Sequence, residues 1–327
     1  MKAPFTRACI LDAESLGPGL DLEALRAVAD HWDWHERSDN DEAPGRIGDA
    51  ELVITNKVHV GAEAFAAAPS LRLVCVAATG VNNVDLEAAA GHGVTVCNAT
   101  GYGTASVVQH TLALMLALAT RLEDYHAAVR AGRWAQSPHF CLLDYPITEL
   151  AGRTLGIIGY GSLGQGVARV AAALGMEVLV AARPGADGAR AGRVPVDELL
   201  PRVDVLSLHC PLTEATRGLI GAPELARMRS TAFLLNTARG GIVDEQALAD
   251  ALRAGTIAGA GVDVLTVEPP RAGNPLLAGD IPNLVLTPHS AWGSHDARQR
   301  LVDQVAAVIN DFAGGRPRNV VAGPGAR

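Results

Sequence analysis

Thr154-Leu155-Gly156-Ile157-Ile158-Gly159-Tyr160-Gly161-Ser162-Leu163-Gly164 is the stretch on which the reading of the fold turns. Gly159, Gly161 and Gly164 stand in the spacing GxGxxG, behind an apolar strand and ahead of a helical pattern over 165–174. Those flanks make a common spacing informative. The first glycine allows a tight turn, the second lets backbone come close to a pyrophosphate, and the third lets helix and strand pack closely. The helix start, at Ser162 and Leu163, offers free N–H groups and a positive dipole end to phosphates. A dinucleotide site is expected here.

Outward from this loop, apolar, β-branched segments alternate with helical ones. Strands are read at 154–158, 177–181, 203–208, 232–236, 258–262 and 284–287. Six strands with helical connections describe a doubly wound dinucleotide-binding sheet. Upstream, apolar runs at 8–11, 52–55, 71–76 and 94–97 alternate with helical patches at 21–31 and 62–68. That alternation predicts a second parallel sheet covered on both faces. One long helix is read from about 104 to 132, and an amphipathic one over 296–313. The fold class is α/β, with two doubly wound parallel sheets.

Composition narrows the function classes. The 327 residues are enough for two domains. With 49% hydrophobic and 19% charged residues the chain is globular rather than disordered. There are 27 Lys+Arg against 35 Asp+Glu, and no basic run, which argues against a nucleic-acid footprint. A small anionic substrate is compatible with that balance. The cysteines, Cys9, Cys75, Cys97, Cys141 and Cys210, form no CxxC and are odd in number. They read as reduced, buried thiols of a cytoplasmic protein, and no Cys/His cluster suggests a metal. The opening residues lack the apolar core of a signal peptide, and the apolar run 112–119 is too short to cross a bilayer.

The strand after the phosphate loop, Glu177-Val-Leu-Val-Ala-Ala182-Arg183, speaks to the cofactor. An acid at its end would bind the ribose 2′-OH of NAD and repel a 2′-phosphate. Ala182 stands at that position and Arg183 follows it, a pair that accepts a 2′-phosphate. NADP(H) is favoured over NAD(H). Stacking of Arg183 on adenine, which both cofactors permit, is the alternative.

Three further segments place polar residues just after apolar strands, where open α/β sheets bind ligands. They are Asn236-Thr237-Ala238-Arg239-Gly240-Gly241, Asp263-Val264 with Glu268 beyond it, and Thr287-Pro288-His289-Ser290-Ala291-Trp292. Arg239 precedes two glycines, which leave its guanidinium uncrowded by backbone. It can grip a carboxylate and polarise a neighbouring carbonyl. His289 is the natural proton donor and acceptor, and Glu268 can hydrogen-bond its imidazole. Reduction of a ketone needs that imidazole protonated. Each residue alone has an ordinary structural role open to it, and their joint position after strands of one dinucleotide fold favours catalysis.

On GYGSLG, LHCPLT, NTARGGIVDE, GVDVLTVEPP and LTPHSAW the chain resembles the D-isomer-specific 2-hydroxyacid dehydrogenases over nearly its whole length. Its NNVDL, CLLDY and TPHSAW segments look most like the glycerate dehydrogenase/hydroxypyruvate (glyoxylate) reductase members. The resemblance implies Arg239 as substrate-orienting residue, His289 as acid/base and Glu268 as its partner. It also implies a cofactor cleft lined by His209, Cys210, Pro211, Thr237 and Ala238, with Asp263 on the nicotinamide side. A Rossmann cofactor domain, 103–290, would be inserted in a flavodoxin-like substrate domain, 1–102 plus 291–327. The cleft between them would hold the active site and could close by a hinge. Ala77, Ala78, Thr79 and Gly80 match the family's carboxylate-binding loop, and Asn82 and Asn83 can instead serve to cap the next helix.

The stretch 121–145 resembles the family's dimerisation region, which implies a homodimer, although its aromatics could also pack within one subunit. Trp292 reads equally as an apolar wall over a short substrate and as core. Gln109 stands where many relatives carry an acid, with no role assigned. The expected activity is reversible hydride transfer between NAD(P)H and a small 2-oxo acid, hydroxypyruvate or glyoxylate first. Two alternatives stay open: a relative acting on another 2-hydroxy acid, and a dinucleotide-sensing binding protein like the family's corepressor branch.

Overall fold

In the computed structural model, residues 3–183 and 192–324 are described. The chain divides into two compact units. One runs to Gly103 and resumes at Gly293, and the other is Thr104–Trp292. The crossovers thus fall at 103/104 and 292/293, against the expected 102/103 and 290/291.

In the first unit the apolar runs become β1 (Phe5–Ile10), β2 (Ala29–Trp34), β3 (Leu52–Thr55), β4 (Leu73–Val76) and β5 (Thr95–Asn98). They lie in the order β2-β1-β3-β4-β5, all parallel, which is the flavodoxin-like arrangement. Every residue of β3, β4 and β5 is buried, as a parallel sheet covered on both faces requires. A short strand from the chain's end, β12 (Val320–Ala322), adds antiparallel to β5. It was not expected, because three residues carry no readable period.

The expected helical patch over 21–31 is corrected. Only Glu23–Arg26 is helical, and Ala29–Trp34 forms the edge strand β2. Its Asp33 pairs with Arg7 of β1 at 2.7 Å, and Trp32 and Trp34 meet edge to face on one side. Polar residues alternating with aromatics suit an edge strand, where one face stays wet.

The second unit opens with the helix Thr104–Thr120 and then Leu122–Arg130, in place of one helix to 132. Arg121 sits at φ 53 between them, in the left-handed region, and the two axes differ by 62°. No single helix among the described residues is long and apolar enough to cross a membrane.

The strands of this unit are β6 (Thr154–Ile158), β7 (Glu177–Val180), β8 (Val205–Leu208), β9 (Phe233–Asn236), β10 (Gly259–Val262) and β11 (Leu284–Leu286). They run parallel in the order β7-β6-β8-β9-β10-β11. Val194 bridges Ala181 on the outer side of β7. Counting that bridge as a one-residue strand restores the dinucleotide-fold order 3-2-1-4-5-6, with β11 beyond it.

The register places the site. Ile158, Leu208, Asn236, Val262 and Leu286 are directly paired across five adjacent strands. The residues that follow them, Gly159, His209, Thr237, Asp263 and Thr287, therefore leave the sheet side by side at its carboxyl edge.

Among the cysteines, Cys9, Cys75, Cys97 and Cys210 are buried and free, whereas Cys141 is partly exposed, which corrects its expected burial. Burial pushes the Cys9 thiol up to about 12 and the Cys97 thiol to about 11, so both stay protonated and unreactive.

Candidate active site

Each glycine of the phosphate loop has a distinct physical reason. Gly159 has φ 93, and a Cβ there would overlap the backbone of His209 and Cys210. Gly161 faces open space, so backbone at this point can be approached from outside. A Cβ at Gly164 would overlap the carbonyl oxygen of Gly159. The helix Ser162–Ala173 starts directly after Gly161, with no side chain capping its first N–H groups. Uncapped donors at a helix start next to an open glycine fit the pyrophosphate of a dinucleotide.

At the next strand end, Ala182 is half-buried and Arg183 exposed. The Ala182 N–H donates to Val194 O at 2.7 Å, which brings Arg193 to the same edge. The Arg193 guanidinium lies 4.8 Å from the ring centre of Tyr160, inside the glycine loop. Sequence reading missed Arg193, because the single bridge that recruits it leaves no strand pattern.

His209 follows β8 and is buried. Its Nε2 lies 2.8 Å from Ser207 Oγ, and its buried Nδ1 meets no hydrogen-bond partner among the described residues. Burial pulls its pKa from 6.5 down to about 4, so the ring is neutral at pH 7. Cys210 beside it is also buried, and Pro211 is exposed.

The Arg239 turn is built by Asn236, which the sequence reading quoted without giving it a role. Asn236 Oδ1 accepts the Ala238 N–H at 3.1 Å and its Nδ2 donates to Arg239 O at 3.0 Å. Thr237 lies 2.9 Å, Oγ1 to Oγ1, from Thr111 on the helix Thr104–Thr120. Arg239 is exposed, with Nη1 donating to Ala238 O. The glycines after it do more than leave room for the guanidinium. A Cβ on Gly240 would overlap the Leu265–Thr266 backbone, and Gly241 takes φ 77. Gly240 thus lets the Arg239 turn lie directly on the segment leading to Glu268.

Glu268 and His289 come together as expected. His289 Nδ1 lies 2.6 Å from Glu268 Oε2, while Glu268 Oε1 accepts the Leu265 N–H at 2.7 Å. The carboxylate is fixed at both oxygens, which leaves Nε2 of the imidazole to exchange a proton. Both side chains are about one-third exposed. His289 has φ 50, a conformation that costs a non-glycine residue about 1–3 kcal/mol. Its N–H donates to Asp263 O at 2.7 Å, within the turn that holds it there.

Asp263 directly follows β10 at the carboxyl edge of the sheet. It is 1% exposed, and both carboxylate oxygens face the His289 loop. Oδ1 accepts from Thr287 Oγ1 at 2.6 Å and the Ser290 N–H at 2.9 Å, and Oδ2 accepts the Ala291 N–H at 2.9 Å. Through these three hydrogen bonds Asp263 positions the loop. Trp292, next along the chain, is partly exposed, and Gln109 is exposed on its helix.

In the other unit, the loop after β4 has Ala77 and Ala78 buried and Thr79 exposed. The Ala77 N–H is used by Thr55 O at 2.8 Å. The N–H groups of Ala78, Thr79 and Gly80 meet no acceptor among the described residues, so three donors rather than four remain for an anion. Thr79 Oγ1 and Asn98 Nδ2 tie the loop to the end of β5, at 2.9 and 2.7 Å. Asn83 Nδ2 lies 3.1 Å from Val58 O, so this side chain braces a neighbouring loop rather than capping a helix. No cluster of three or more metal-ligating side chains occurs among the described residues.

Residues 112–291 match the family model described as D-isomer specific 2-hydroxyacid dehydrogenase, NAD binding domain. A glycerate dehydrogenase of Methylorubrum extorquens is 44% identical, over 92% of this chain and 97% of its own length. A hydroxypyruvate reductase of Blautia hydrogenotrophica is 40% identical, over 95% of this chain and 98% of its own. Among solved structures, an NADPH-dependent glyoxylate/hydroxypyruvate reductase from Sinorhizobium meliloti, in complex with citrate, superposes with a TM-score of 0.82. It is 28% identical and the match covers 98% of this chain and 99% of that one.

Proposed function

The chain belongs to the D-isomer specific 2-hydroxyacid dehydrogenase family, and from that membership we propose that it is an NADP(H)-preferring reductase of hydroxypyruvate and glyoxylate. The members of this family act on the CH–OH group of a 2-hydroxy acid with a nicotinamide dinucleotide. The short-acid assignment leans on the glycerate dehydrogenase and hydroxypyruvate reductase relatives.

One observation carries the mechanism: His289 Nδ1 held 2.6 Å from a doubly anchored Glu268, with Nε2 left over. A bound nicotinamide supplies or takes the hydride at C2. His289 Nε2 gives the developing alkoxide its proton in reduction and takes it back in oxidation. Glu268 steadies the imidazolium through Nδ1. Arg239 grips the substrate carboxylate and polarises the carbonyl. The loop Ala77, Ala78, Thr79 and Gly80 is assigned to the carboxylate by family resemblance, through its three remaining N–H donors. Gly159, Gly161, Ser162, Leu163 and Gly164 take the pyrophosphate.

The cofactor preference leans on Ala182 at the acid position with Arg183 beside it, flanked by Arg193 on Tyr160. The free thiols suit a reducing cytoplasm. A homodimer is supported by apolar side chains left exposed between residues 122 and 147, among them Trp134, Phe140 and Leu143 at 53%, 91% and 80%.

The test is a matched panel of NADPH and NADH with hydroxypyruvate, glyoxylate, pyruvate and a bulky 2-oxo acid, run on the parent and on His289→Ala. Fast reduction of the two short acids with NADPH, lost by about 10²- to 10⁴-fold in His289→Ala, is expected. Near-normal turnover in His289→Ala overturns the mechanism. Tight cofactor binding with no turnover of any acid replaces the reductase with a sensor.

A further inference from the structure

We propose that His110 is a positioning residue for the reaction, holding the His289 loop in register through Thr287. This rests on the assignment of His289 as proton donor. The argument starts from Asp263, whose buried carboxylate takes the Thr287 hydroxyl at 2.6 Å together with two backbone N–H groups of the same loop. A threonine hydroxyl has one proton, and that proton is spent on Asp263. The contact of 2.9 Å between Thr287 Oγ1 and His110 Nε2 must therefore run the other way. His110 Nε2 carries the hydrogen and donates it to Thr287. The same Nε2 lies 3.5 Å from Asp263 Oδ1, on the side of the negative charge.

His110 is the middle one of three polar side chains by which the helix Thr104–Thr120 reaches the carboxyl edge of the sheet. Ser106, one turn before it on the same face, donates to Ala291 O at 2.7 Å. Thr111 donates its own proton to Val107 O at 2.8 Å, so the Thr237 hydroxyl donates to Thr111. The loop that carries His289 is thus tied to one helix at Thr287 and at Ala291, and the turn that carries Arg239 is tied to it at Thr237. His289 sits between the two tied points at φ 50, a backbone state that needs outside restraint to persist. His110 supplies one of those restraints without being expected to touch substrate.

The experiment compares His110→Leu with His110→Gln, the latter placing an amide N–H near the position of Nε2. The readouts are kcat for hydroxypyruvate reduction, KM for NADPH and the thermal midpoint. His110→Leu is expected to lower kcat by about 10- to 100-fold, the scale of a small misplacement of a reacting group. KM for NADPH and the midpoint should change little, and His110→Gln should restore most of the loss. Parental kcat in His110→Leu overturns the proposal, as does a glutamine variant no better than leucine. If His110→Leu does not fold, Thr287→Val and Thr287→Ser carry the same test. Serine should keep kcat and valine should lose it, and equal, parental behaviour of both again overturns the proposal. The two layers fail separately: active His289→Ala removes the proton-donor assignment, whereas inactive His289→Ala with parental His110→Leu removes only the role of His110.

Discussion

Acid should weaken this protein through His209, and the size of the effect follows from its burial. In the folded chain the imidazole is shielded from water with only Ser207 Oγ at its Nε2, which pulls its pKa to about 4. In the unfolded chain it returns to the ordinary 6.5. Between those values the unfolded chain binds a proton that the folded chain refuses, so falling pH favours unfolding. The contribution is fully present above pH 6.5 and declines by about 1.36 kcal/mol per unit below it. It is gone by the folded value, a total of about 3 kcal/mol. His209→Gln keeps a polar partner for Ser207 and cannot titrate. Urea unfolding of parent and variant should therefore be measured from about pH 7.5 down to about pH 4, where acid effects common to both cancel. The difference in stability should move in favour of the variant by about 3 kcal/mol across that range. Parallel curves would refute the reasoning and mean that His209 reaches water or a partner when folded.

Two further outcomes test the site's architecture. Gly240→Ala forces a Cβ into the Leu265–Thr266 backbone, which should destabilise by about 1–3 kcal/mol and lower kcat more than it changes NADPH affinity, because it separates the Arg239 turn from the Glu268 segment. Thermal melts and cofactor titration separate the two effects, and a variant with parental melting and kcat would disprove the close packing. Arg183→Gln should raise KM for NADPH by about 10- to 100-fold, the value of a charge-assisted hydrogen bond, and leave KM for NADH unchanged. An equal change in both would assign Arg183 to the adenine instead.

What the sequence makes legible here is whatever repeats locally. The six strand positions of the second unit are readable because each is a short apolar run bounded by polar residues, and observed and expected boundaries differ by two residues at most. Glu268 and His289 are readable because each follows a strand whose end faces the same edge. The misses share a cause. β2 is an edge strand with Asp30, His31 and Asp33 in it, so its period resembles that of the polar helix beside it. The break at Arg121 has no proline or glycine to announce it. Val194 makes a strand of one residue. The roles of His110, Ser106 and Asp263 depend on hydrogen bonds that span 177, 185 and 24 residues of chain, and no local pattern encodes a partner that distant.

The position of His289, the proposed proton donor, is, on this geometry, a consequence of how Asp263 is solvated. A carboxylate taken out of water is costly unless hydrogen bonds replace what water gave it. Here the replacements come from the next strand's loop, and they dictate its path. The N–H groups of Ser290 and Ala291 must both point back to the carboxylate, on different oxygens. The N–H of His289 must at the same time reach the Asp263 carbonyl. Three successive donors converging on one residue require the chain to reverse sharply, and the left-handed turn at His289 does this. The imidazole is thereby thrown outward to the exposed Glu268 rather than inward to the core. An amide at position 263 would offer one acceptor oxygen where the loop uses two, so its second oxygen is the part of Asp263 that the loop could least spare.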